Sequence, residues 1–289
     1  MPSTRVVHER LCTILFATLL QWAGASSFTE KAKLLASDGA SFDEFGASVD
    51  ISGNFAIVGA YQDDDVPFTS GSAYIYRTED GGNTWPFETK LVAPDAADGD
   101  YFGYAVAIDG NVAIVGAHVD DFVGGSGSVF DAGSAYVYRT EDGGVTWDFQ
   151  VKLVAPDAFS RDELGISVDI GGNYAILGAH LDDDQGGDSG SAYIYRTGDG
   201  GATWSFQAKL TAPDGASSDW FGWSVGLDGN LAIVGARFDD DRGFRGGSAY
   251  IYRTEDGGTT WPFQAKLVAS DGASGDEFGF SVDISGNFA

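Results

Sequence analysis

The chain has 289 residues, with 43 Asp and Glu against 16 Lys and Arg, so its formal net charge is −27 at pH 7. Apolar residues make up 43% and aromatic residues 13% of the chain, which is enough for a packed core and argues against an acidic disordered chain. The negative charge argues against a nucleic-acid partner, because binding phosphates requires a basic surface. The 42 glycines favour a turn-rich β protein over a helical one.

Residues 1–25 form a predicted secretory signal peptide. Two arginines precede the apolar run 11–20, and Ala23-Gly24-Ala25 supplies the small residues of a cleavage site. Cleavage predicts a secreted, extracellular protein that begins at Ser26, and a signal anchor retained at the cell surface is the alternative. The mature chain is predicted to contain no transmembrane segment. The only Cys, Cys12, lies in the removed segment, which excludes thiol catalysis, disulfide bonds and Cys-type zinc sites.

Residues 26–289 are built from an internal repeat of 57 residues. Phe-Gly, Gly-Ala, Gly-Ser-Ala-Tyr and Lys-Leu recur in this order, with Leu-Gly replacing Phe-Gly in the third unit. The predicted units are residues 37–93, 94–155, 156–212 and 213–269, followed by a partial unit, 270–289. The second unit carries five extra residues within Phe122–Asp131.

Each complete unit contains four strand-like runs, in the first unit Phe45–Ile51, Phe55–Tyr61, Ser72–Thr78 and Trp85–Ala93. A Gly-Asn turn joins the first two runs and an Asp-Gly-Gly turn joins the last two, as is typical of hairpins. No run has the apolar spacing of a helix. The pattern predicts an all-β fold, a β-propeller whose blades are four-stranded antiparallel sheets.

The four complete units lie between two partial ones. A fourth-type strand is predicted at Glu30–Ala36 and a first-type strand at Phe278–Ile284, after which the sequence ends within a second-type strand at Ala289. We favour a truncated sequence with partial terminal blades. The alternatives are a fifth blade assembled from both termini and a solenoid-like stack of open blades.

Acidic loops follow the second strand of each unit, at Asp63-Asp64-Asp65, Asp120-Asp121, Asp182-Asp183-Asp184 and Asp239-Asp240-Asp241. In an extended chain the first and third Asp of a triplet point the same way. We therefore predict Ca²⁺ binding, with carboxylate ligands at Asp63, Asp65, Asp182, Asp184, Asp239 and Asp241. The alternative is a solvated acidic rim that keeps the protein soluble.

His118 and His180 occupy one repeat position after Gly-Ala, where Tyr61 and Arg237 stand in other units. A position that accepts three residue types is interpreted as part of the rim rather than as a ligand. The acid pairs recur with the repeat, whereas a catalytic pair would normally be unique. The sequence therefore predicts no enzyme and no catalytic residues.

The strings Phe45-Gly46-Ala47-Ser48-Val49, Ile57-Val58-Gly59-Ala60 and Gly71-Ser72-Ala73-Tyr74-Ile75-Tyr76 resemble the FG-GAP repeat family. The similarity recurs in every unit and covers residues 31–289. It implies a β-propeller like the head of integrin α chains, which serves in extracellular ligand binding and adhesion. The calcium loop of integrin repeats is reduced here to Asp50-Ile51-Ser52-Gly53-Asn54, so the resemblance does not carry that site over.

A second resemblance lies on the hairpin between the third and fourth strands. Thr78-x-Asp80-x-Gly82-x-Thr84-Trp85 and its three equivalents are similar to the Asp-box of sialidase-like propellers. The Asp-box implies a structural turn, in which Asp accepts backbone N–H bonds and Trp packs beneath. The Arg-Ile-Pro signature of sialidases is absent.

These observations predict a secreted or cell-surface propeller that binds an extracellular protein or a glycan with the assistance of calcium and has no enzymatic activity. A glycan-processing enzyme on the same scaffold is one alternative. A purely structural matrix protein is the other.

Overall fold

The fold is described from a computed structural model of the chain, which describes residues 30–64, 69–124, 127–286 and 288–289. The predicted signal peptide lies outside these residues. Within them the chain forms 18 strands and no helix. This described part therefore contains no helix that is long and apolar enough to cross a membrane.

Sixteen of the strands form four sheets, which we call blades 1 to 4. Blade 1 contains β1 (Val49–Ser52), β2 (Phe55–Ala60), β3 (Ser72–Arg77) and β4 (Phe87–Leu91). Blade 2 contains β5 (Ala105–Asp109), β6 (Val112–Ala117), β9 (Ser134–Arg139) and β10 (Asp148–Leu153). Blade 3 contains β11 (Ser167–Gly171), β12 (Tyr174–Ala179), β13 (Ser191–Arg196) and β14 (Ser205–Leu210). Blade 4 contains β15 (Phe221–Asp228), β16 (Leu231–Ala236), β17 (Ser248–Arg253) and β18 (Phe263–Leu267).

Each blade is an antiparallel meander of four strands paired in chain order. The insertion in the second unit forms a separate hairpin of β7 (Phe122–Gly124) and β8 (Gly127–Val129). The first strands of consecutive blades contact one another, β1 with β5, β5 with β11 and β11 with β15. The prediction of an all-β propeller with four-stranded antiparallel blades is confirmed.

The antiparallel order gives each blade two ends. One end carries the loop between the second and third strands and the connection to the next blade, and we call it the loop face. The other end carries the hairpins between strands one and two and between strands three and four, and we call it the hairpin face.

The core lies between the faces of neighbouring blades. One buried cluster joins Ile57 and Ile75 of blade 1 to Phe102, Val115 and Tyr136 of blade 2. An equivalent cluster joins blades 3 and 4. Most stabilising burial is therefore at blade boundaries, so each blade depends on its neighbours, as in repeat proteins.

The glycine of each Gly-Ala landmark is required by this packing. A Cβ atom on Gly178 would overlap the carbonyl oxygen of Gly222 in the next blade, and Gly59 meets Gly103 in the same way. The two backbones can approach this closely only because neither residue carries a side chain. The glycine of each Gly-Ala landmark thus lies where the backbones of neighbouring blades approach closely.

Carboxylates on the first strands also connect the blades. Main-chain N–H groups of the next blade donate to them, from Ile108 to Asp50 at 2.7 Å and from Leu227 to Asp169 at 2.6 Å. Burial, the largest cause, raises the pKa of Asp169 to about 7. These bonds connect the first strands of neighbouring blades.

The hairpin between the third and fourth strands of blade 1, where the sequence resembles the Asp-box, is a hydrogen-bonded turn on the hairpin face. The main-chain N–H and the hydroxyl of Thr84 donate to Asp80 at 2.9 and 2.7 Å, and these bonds lower the pKa of Asp80 to about 2. Trp85 is buried and donates to the carbonyl of Gly82 at 3.2 Å. The Asp, Thr and Trp side chains of this motif therefore form the hydrogen bonds of the turn itself.

The fourth strand of blade 1 is shorter than predicted, Phe87–Leu91 instead of Trp85–Ala93, and three further predicted strands need correction. The first strand of blade 1 begins at Val49 instead of Phe45, because residues 44–47 form a turn closed by a bond from the Ala47 N–H to the Glu44 carbonyl. Glu30–Ala36 is not a strand, although Leu34 is buried against blade 1. Phe278–Ile284 is not a strand either, since the bridge that is described within it is the single one between Gly247 and Phe278.

Candidate functional site

The first Asp of each acidic loop is buried instead of lying on a solvated rim. Asp63, Asp120, Asp182 and Asp239 are each at most 4% exposed. In blade 3, Asp182 accepts hydrogen bonds from the Tyr193 hydroxyl at 2.7 Å and from Lys209 Nζ at 2.9 Å. A buried carboxylate is tolerated only when it is paired and hydrogen-bonded in this way.

A lysine from the fourth strand lies among these carboxylates in every blade. Lys209 Nζ is 2.8 Å from Asp157, 2.9 Å from Asp182 and 2.5 Å from Asp184. Burial lowers the pKa of Lys209, but the hydrogen bonds to the three carboxylates outweigh it, so the pKa lies above its ordinary value. We call these groups the lysine rim, formed by Lys90, Lys152, Lys209 and Lys266 with their Asp partners.

The lysine rim bears directly on the predicted calcium sites. Lys266 holds Asp239 and Asp241 in the same way as Lys209 holds Asp182 and Asp184, and Lys90 is 2.8 Å from Asp63. Asp65 lies outside the described residues. The described part of the chain contains no group of three or more His, Cys, Asp or Glu side chains placed to hold a metal. These carboxylates do not fit Ca²⁺ unless the ammonium groups are displaced, and calcium binding stays a prediction.

A second set of side chains lies on the loop face, at three positions of the repeat. These are the residue before Phe-Gly, the residue after Phe-Gly and the residue after Gly-Ala. The first position has left-handed backbone, with φ between 53° and 58°, in every unit: Glu44, Tyr101, Glu163, Trp220 and Glu277. Bulky residues seldom adopt this conformation, which costs about 1–3 kcal/mol and is concentrated at functional sites.

Blades 1 and 2 contribute a group of four rings. The Tyr61 ring is 5.4 Å from Tyr101 and 5.2 Å from Tyr104, measured between centroids. The His118 ring is 4.2 Å from Tyr104 and 5.8 Å from Tyr101. The three tyrosines are partly exposed, while His118 is buried beneath them.

Blades 3 and 4 contribute a second group of rings. Trp220 and Trp223 stack with centroids 5.5 Å apart and an interplanar angle of 22°. The His180 ring is 4.9 Å from Trp220 and 5.1 Å from Trp223, and both contacts are edge-on. The tryptophans are partly exposed and His180 is buried, as in the first group.

Arg237 packs against the second group. Its guanidinium carbon is 4.3 Å from the centroid of Trp223 and 4.6 Å from that of Phe280. The same guanidinium donates to Glu277 at 2.7 Å. The charge of Arg237 is therefore matched within the protein.

Glu163 links the two groups, because its carboxylate lies 3.8 Å from His180 Nε2. Burial raises the pKa of Tyr104, the charge of Glu163 raises it further, and the charge of Arg237 lowers it. The charge of Arg237 also lowers the pKa of His180, in addition to burial. We call both ring groups, with Glu163, Arg237 and Glu277, the axial cluster.

Burial sets the charge states within the axial cluster. It lowers the pKa of His118 to about 4 and that of His180 to about 3, so both imidazoles are neutral at pH 7. It raises the pKa of Glu163 to about 7, and the carboxylate lies 3.8 Å from His180 Nε2. Perturbed groups of this kind, next to partly exposed rings, mark a candidate binding site.

Three buried nitrogens of the axial cluster have no hydrogen-bond partner among the described residues. They are Nδ1 of His118, Nδ1 of His180 and Nε of Arg237. Most buried polar atoms in folded proteins are paired, and an unpaired one costs about 1–3 kcal/mol. The cluster therefore contains polar atoms with unused hydrogen-bonding capacity.

The repeats on which both sites stand match one family of proteins. The family model for the FG-GAP repeat matches residues 28–76, 85–138, 147–195, 204–252 and 261–289. The chain belongs to the FG-GAP repeat family. No curated protein matches it. The FG-GAP match at 85–138 begins with the fourth strand of blade 1 and continues into the third strand of blade 2, so one FG-GAP repeat spans a blade boundary.

The FG-GAP landmarks contain a signal for the axial cluster that the sequence interpretation missed. The position that holds His118 and His180 was interpreted as rim, but both side chains are buried beside aromatic rings. The signal is aromatic residues on both sides of Phe-Gly in the second and fourth units, at Tyr101 and Tyr104 and at Trp220 and Trp223. The residues at these positions differ from unit to unit. Residues that the repeat itself does not require, such as these aromatic residues, are therefore candidates for a functional role.

Proposed function

We propose that this FG-GAP propeller is a secreted or cell-surface binding and adhesion module whose ligand contacts the loop face at the axial cluster. The observation that carries the proposal is that the second and fourth units place partly exposed rings, Tyr101 with Tyr104 and Trp220 with Trp223, beside a buried histidine on the loop face. The predicted signal peptide supports an extracellular setting for such a module.

The proposal is binding without catalytic turnover. One observation favours the alternative of a glycan-processing enzyme, since Glu163, with its pKa near 7, is suited to general acid or base chemistry. Glycoside hydrolysis usually needs a second carboxyl group, and Glu277 is engaged by Arg237. A purely structural matrix protein is the other alternative, and it predicts no saturable binding at these rings.

Calcium assistance stays a prediction within this proposal. The lysine rim already supplies a positive charge to each predicted site. Calcium would act there by displacing a lysine, and the displaced ammonium would then be free to contact a ligand.

An array of extracellular matrix proteins and glycans tests the proposed function. The mature chain, the variant Trp220→Ala/Tyr101→Ala and the control Val145→Ala are compared, because Val145 is exposed on the hairpin face. We expect saturable binding to one ligand class, a loss of about tenfold or more in the axial variant and no change in the control. Equal binding by all three proteins, or release of a hydrolysed product from the array, would contradict the proposal.

A further inference from the structure

One loop of the loop face carries two exposed arginines although the molecule as a whole is acidic. It follows β16 in blade 4, and Arg242, Phe244 and Arg245 lie on its exposed surface. The Phe244 ring is 67% exposed. The other units have different residue types at the position of Arg245: Thr69, Asp131 and Asp188. The repeat therefore does not require an arginine there.

The Arg245 side chain lies on aromatic rings. Its guanidinium carbon is 4.1 Å from the centroid of Phe238 and 5.2 Å from that of Phe244. The Phe238 centroid is also 4.4 Å from the guanidinium carbon of Arg237 and 4.3 Å from the Trp220 centroid. Arg245 is therefore the exposed end of a stack of guanidinium groups and rings that begins in the axial cluster.

The charge of Arg245 is unmatched. Among the described residues its guanidinium makes no ion pair and no hydrogen bond, and the same holds for Arg242. Arg237, which contacts the same phenylalanine ring, is neutralised by Glu277 at 2.7 Å. A carboxylate from a ligand would neutralise Arg245 in the same way that Glu277 neutralises Arg237.

The backbone of the loop holds Arg245 in place. Its main-chain N–H donates to Asp240 at 2.7 Å, and its carbonyl accepts from the Glu277 N–H at 3.1 Å. The carboxylate of Asp241 is paired with Lys266 instead. A guanidinium that is already oriented loses less conformational entropy when it binds a ligand.

These features restrict the chemistry of the ligand. A planar guanidinium binds a carboxylate through two parallel hydrogen bonds. The exposed Phe244 ring beside it favours an apolar group next to that carboxylate. A polyanion such as a sulfated glycan would be repelled by the net charge of −27, whereas a segment with one or two carboxylates is attracted at short range.

We propose that the loop of Arg242, Phe244 and Arg245 binds an acidic segment of a partner protein, in which Asp or Glu lies beside an apolar side chain. The carboxylate pairs with the guanidinium of Arg245, and the apolar side chain packs on Phe244. Arg242 adds a second positive charge within the same loop. This inference rests on the proposed use of the loop face for binding, and it names the chemistry of the partner.

An array of immobilised dodecapeptides tests the inference. Each peptide carries one Asp or Glu flanked by Leu, Phe or Tyr, and its counterpart carries Asn or Gln instead. Heparin is the polyanionic probe. We expect the mature chain to bind at least one acidic peptide saturably and its amide counterpart about tenfold more weakly, because the amide cannot form the charge-assisted pair.

Two glycine variants assign the binding to Arg245. Arg245→Gly removes the side chain where φ is 56°, a conformation that glycine adopts without strain, so this variant should fold. It should weaken peptide binding about tenfold. Arg161→Gly is the matched control and should bind as the wild type does. In the described part of the chain Arg161 is also exposed and unpaired, with φ 75°, but its guanidinium contacts no ring.

Three results would overturn the inference: no acidic peptide binds, the amide counterparts bind equally well, or Arg245→Gly binds the peptides as the wild type does. Heparin binding that depends on Arg245, without peptide binding, would also overturn it and identify a polyanion. If no peptide binds while binding to the matrix array depends on Trp220 and Tyr101, only this inference is wrong. If peptide binding depends on Arg245 while array binding does not depend on those two rings, the proposed function fails at the axial cluster and this loop alone is the binding site.

Discussion

At the scale of single residues, the residue before Phe-Gly, or before Leu-Gly in the third unit, has an unfavourable left-handed backbone conformation in all five units. Glu163 and Trp220 have φ near 55° and are not glycines. Their side chains therefore contribute something that a glycine at the same position cannot. In the axial cluster this contribution is a carboxyl group in one unit and an aromatic ring in the next.

Replacing Glu163 with glycine should stabilise the protein. Glycine removes the strain at φ 55° and the partly buried carboxyl group together, and we expect a gain of about 1 kcal/mol at pH 7.5. Glu163→Ala removes the carboxyl group but keeps the strain, so it is the matched comparison. Denaturant unfolding measures both. A Gly variant no more stable than the Ala variant would show that the backbone here is not strained.

At the scale of elements, the contact between neighbouring blades depends on small residues. Gly178→Ala places a methyl group against the Gly222 carbonyl oxygen, and we expect a loss of about 3 kcal/mol or failure to fold. Gly198→Ala is the control, since its Cβ meets nothing within 4 Å and its φ is not left-handed. Thermal melting of the two variants checks this, and similar melting temperatures would contradict the blade contact described above.

The ion pairs of the lysine rim predict how calcium affects the thermal stability of the protein. In the wild type we expect the same small thermal shift in CaCl₂ and in NaCl of matched ionic strength, because Lys209 already neutralises the carboxylates. Lys209→Met leaves these carboxylates unpaired and should cost about 3 kcal/mol, part of which calcium should restore.

The opposite result would favour the calcium sites. A calcium-specific rise in the melting temperature of the wild type, lost in the double variant Asp182→Asn/Asp184→Asn, would show that Ca²⁺ displaces the lysine. Lys209→Arg is the control for the charge of the rim, and it should melt close to the wild type.

At the scale of the whole molecule, buried carboxyl groups set the pH dependence of stability. Burial raises the pKa of several of them, to about 7 for Asp162, Glu163 and Asp169 and to about 6 for Asp100 and Asp219. Their ordinary values are 3.8 for Asp and 4.5 for Glu. The folded state therefore binds more protons than the unfolded state between about pH 4 and pH 7.

The free energy of unfolding should consequently fall as the pH rises from 5 to 7.5. The decrease is about 1.4 kcal/mol per pH unit for each proton that the folded state binds in excess of the unfolded state. His118 and His180 act in the opposite direction because their pKa values are lowered, but they are two groups against five. Melting temperatures across this range measure the effect. Asp169→Asn should flatten the profile, and a melting temperature that rises from pH 5 to pH 7.5 would contradict these pKa directions.

The sequence predicted the blades because their signals are local. The run Ser72-Ala73-Tyr74-Ile75-Tyr76 and the turns around it lie within one unit, so pattern and spacing were sufficient. The start of the first strand was misplaced because Phe45 looks like a strand residue, but it belongs to the turn before β1.

The candidate site could not be predicted in the same way. Asp182 and Lys209 are 27 residues apart and meet only after blade 3 forms, so the sequence could not distinguish a lysine from a calcium ion as the partner of the carboxylate. The Tyr61 ring meets Tyr101 and Tyr104 only when blades 1 and 2 pack together. Contacts between units are set by blade geometry, which a repeat pattern alone does not contain.

The central prediction for this molecule is that ligands bind at the axial cluster on the loop face. Hydrogen–deuterium exchange of the mature chain, with and without the strongest ligand from the array, tests it most directly. We predict slower exchange in the peptides around Tyr101–Tyr104 and Trp220–Trp223, with the Asp-box hairpins at Thr78–Trp85 and Thr197–Trp204 unchanged. Protection at those hairpins with none at the two aromatic segments would contradict the claim.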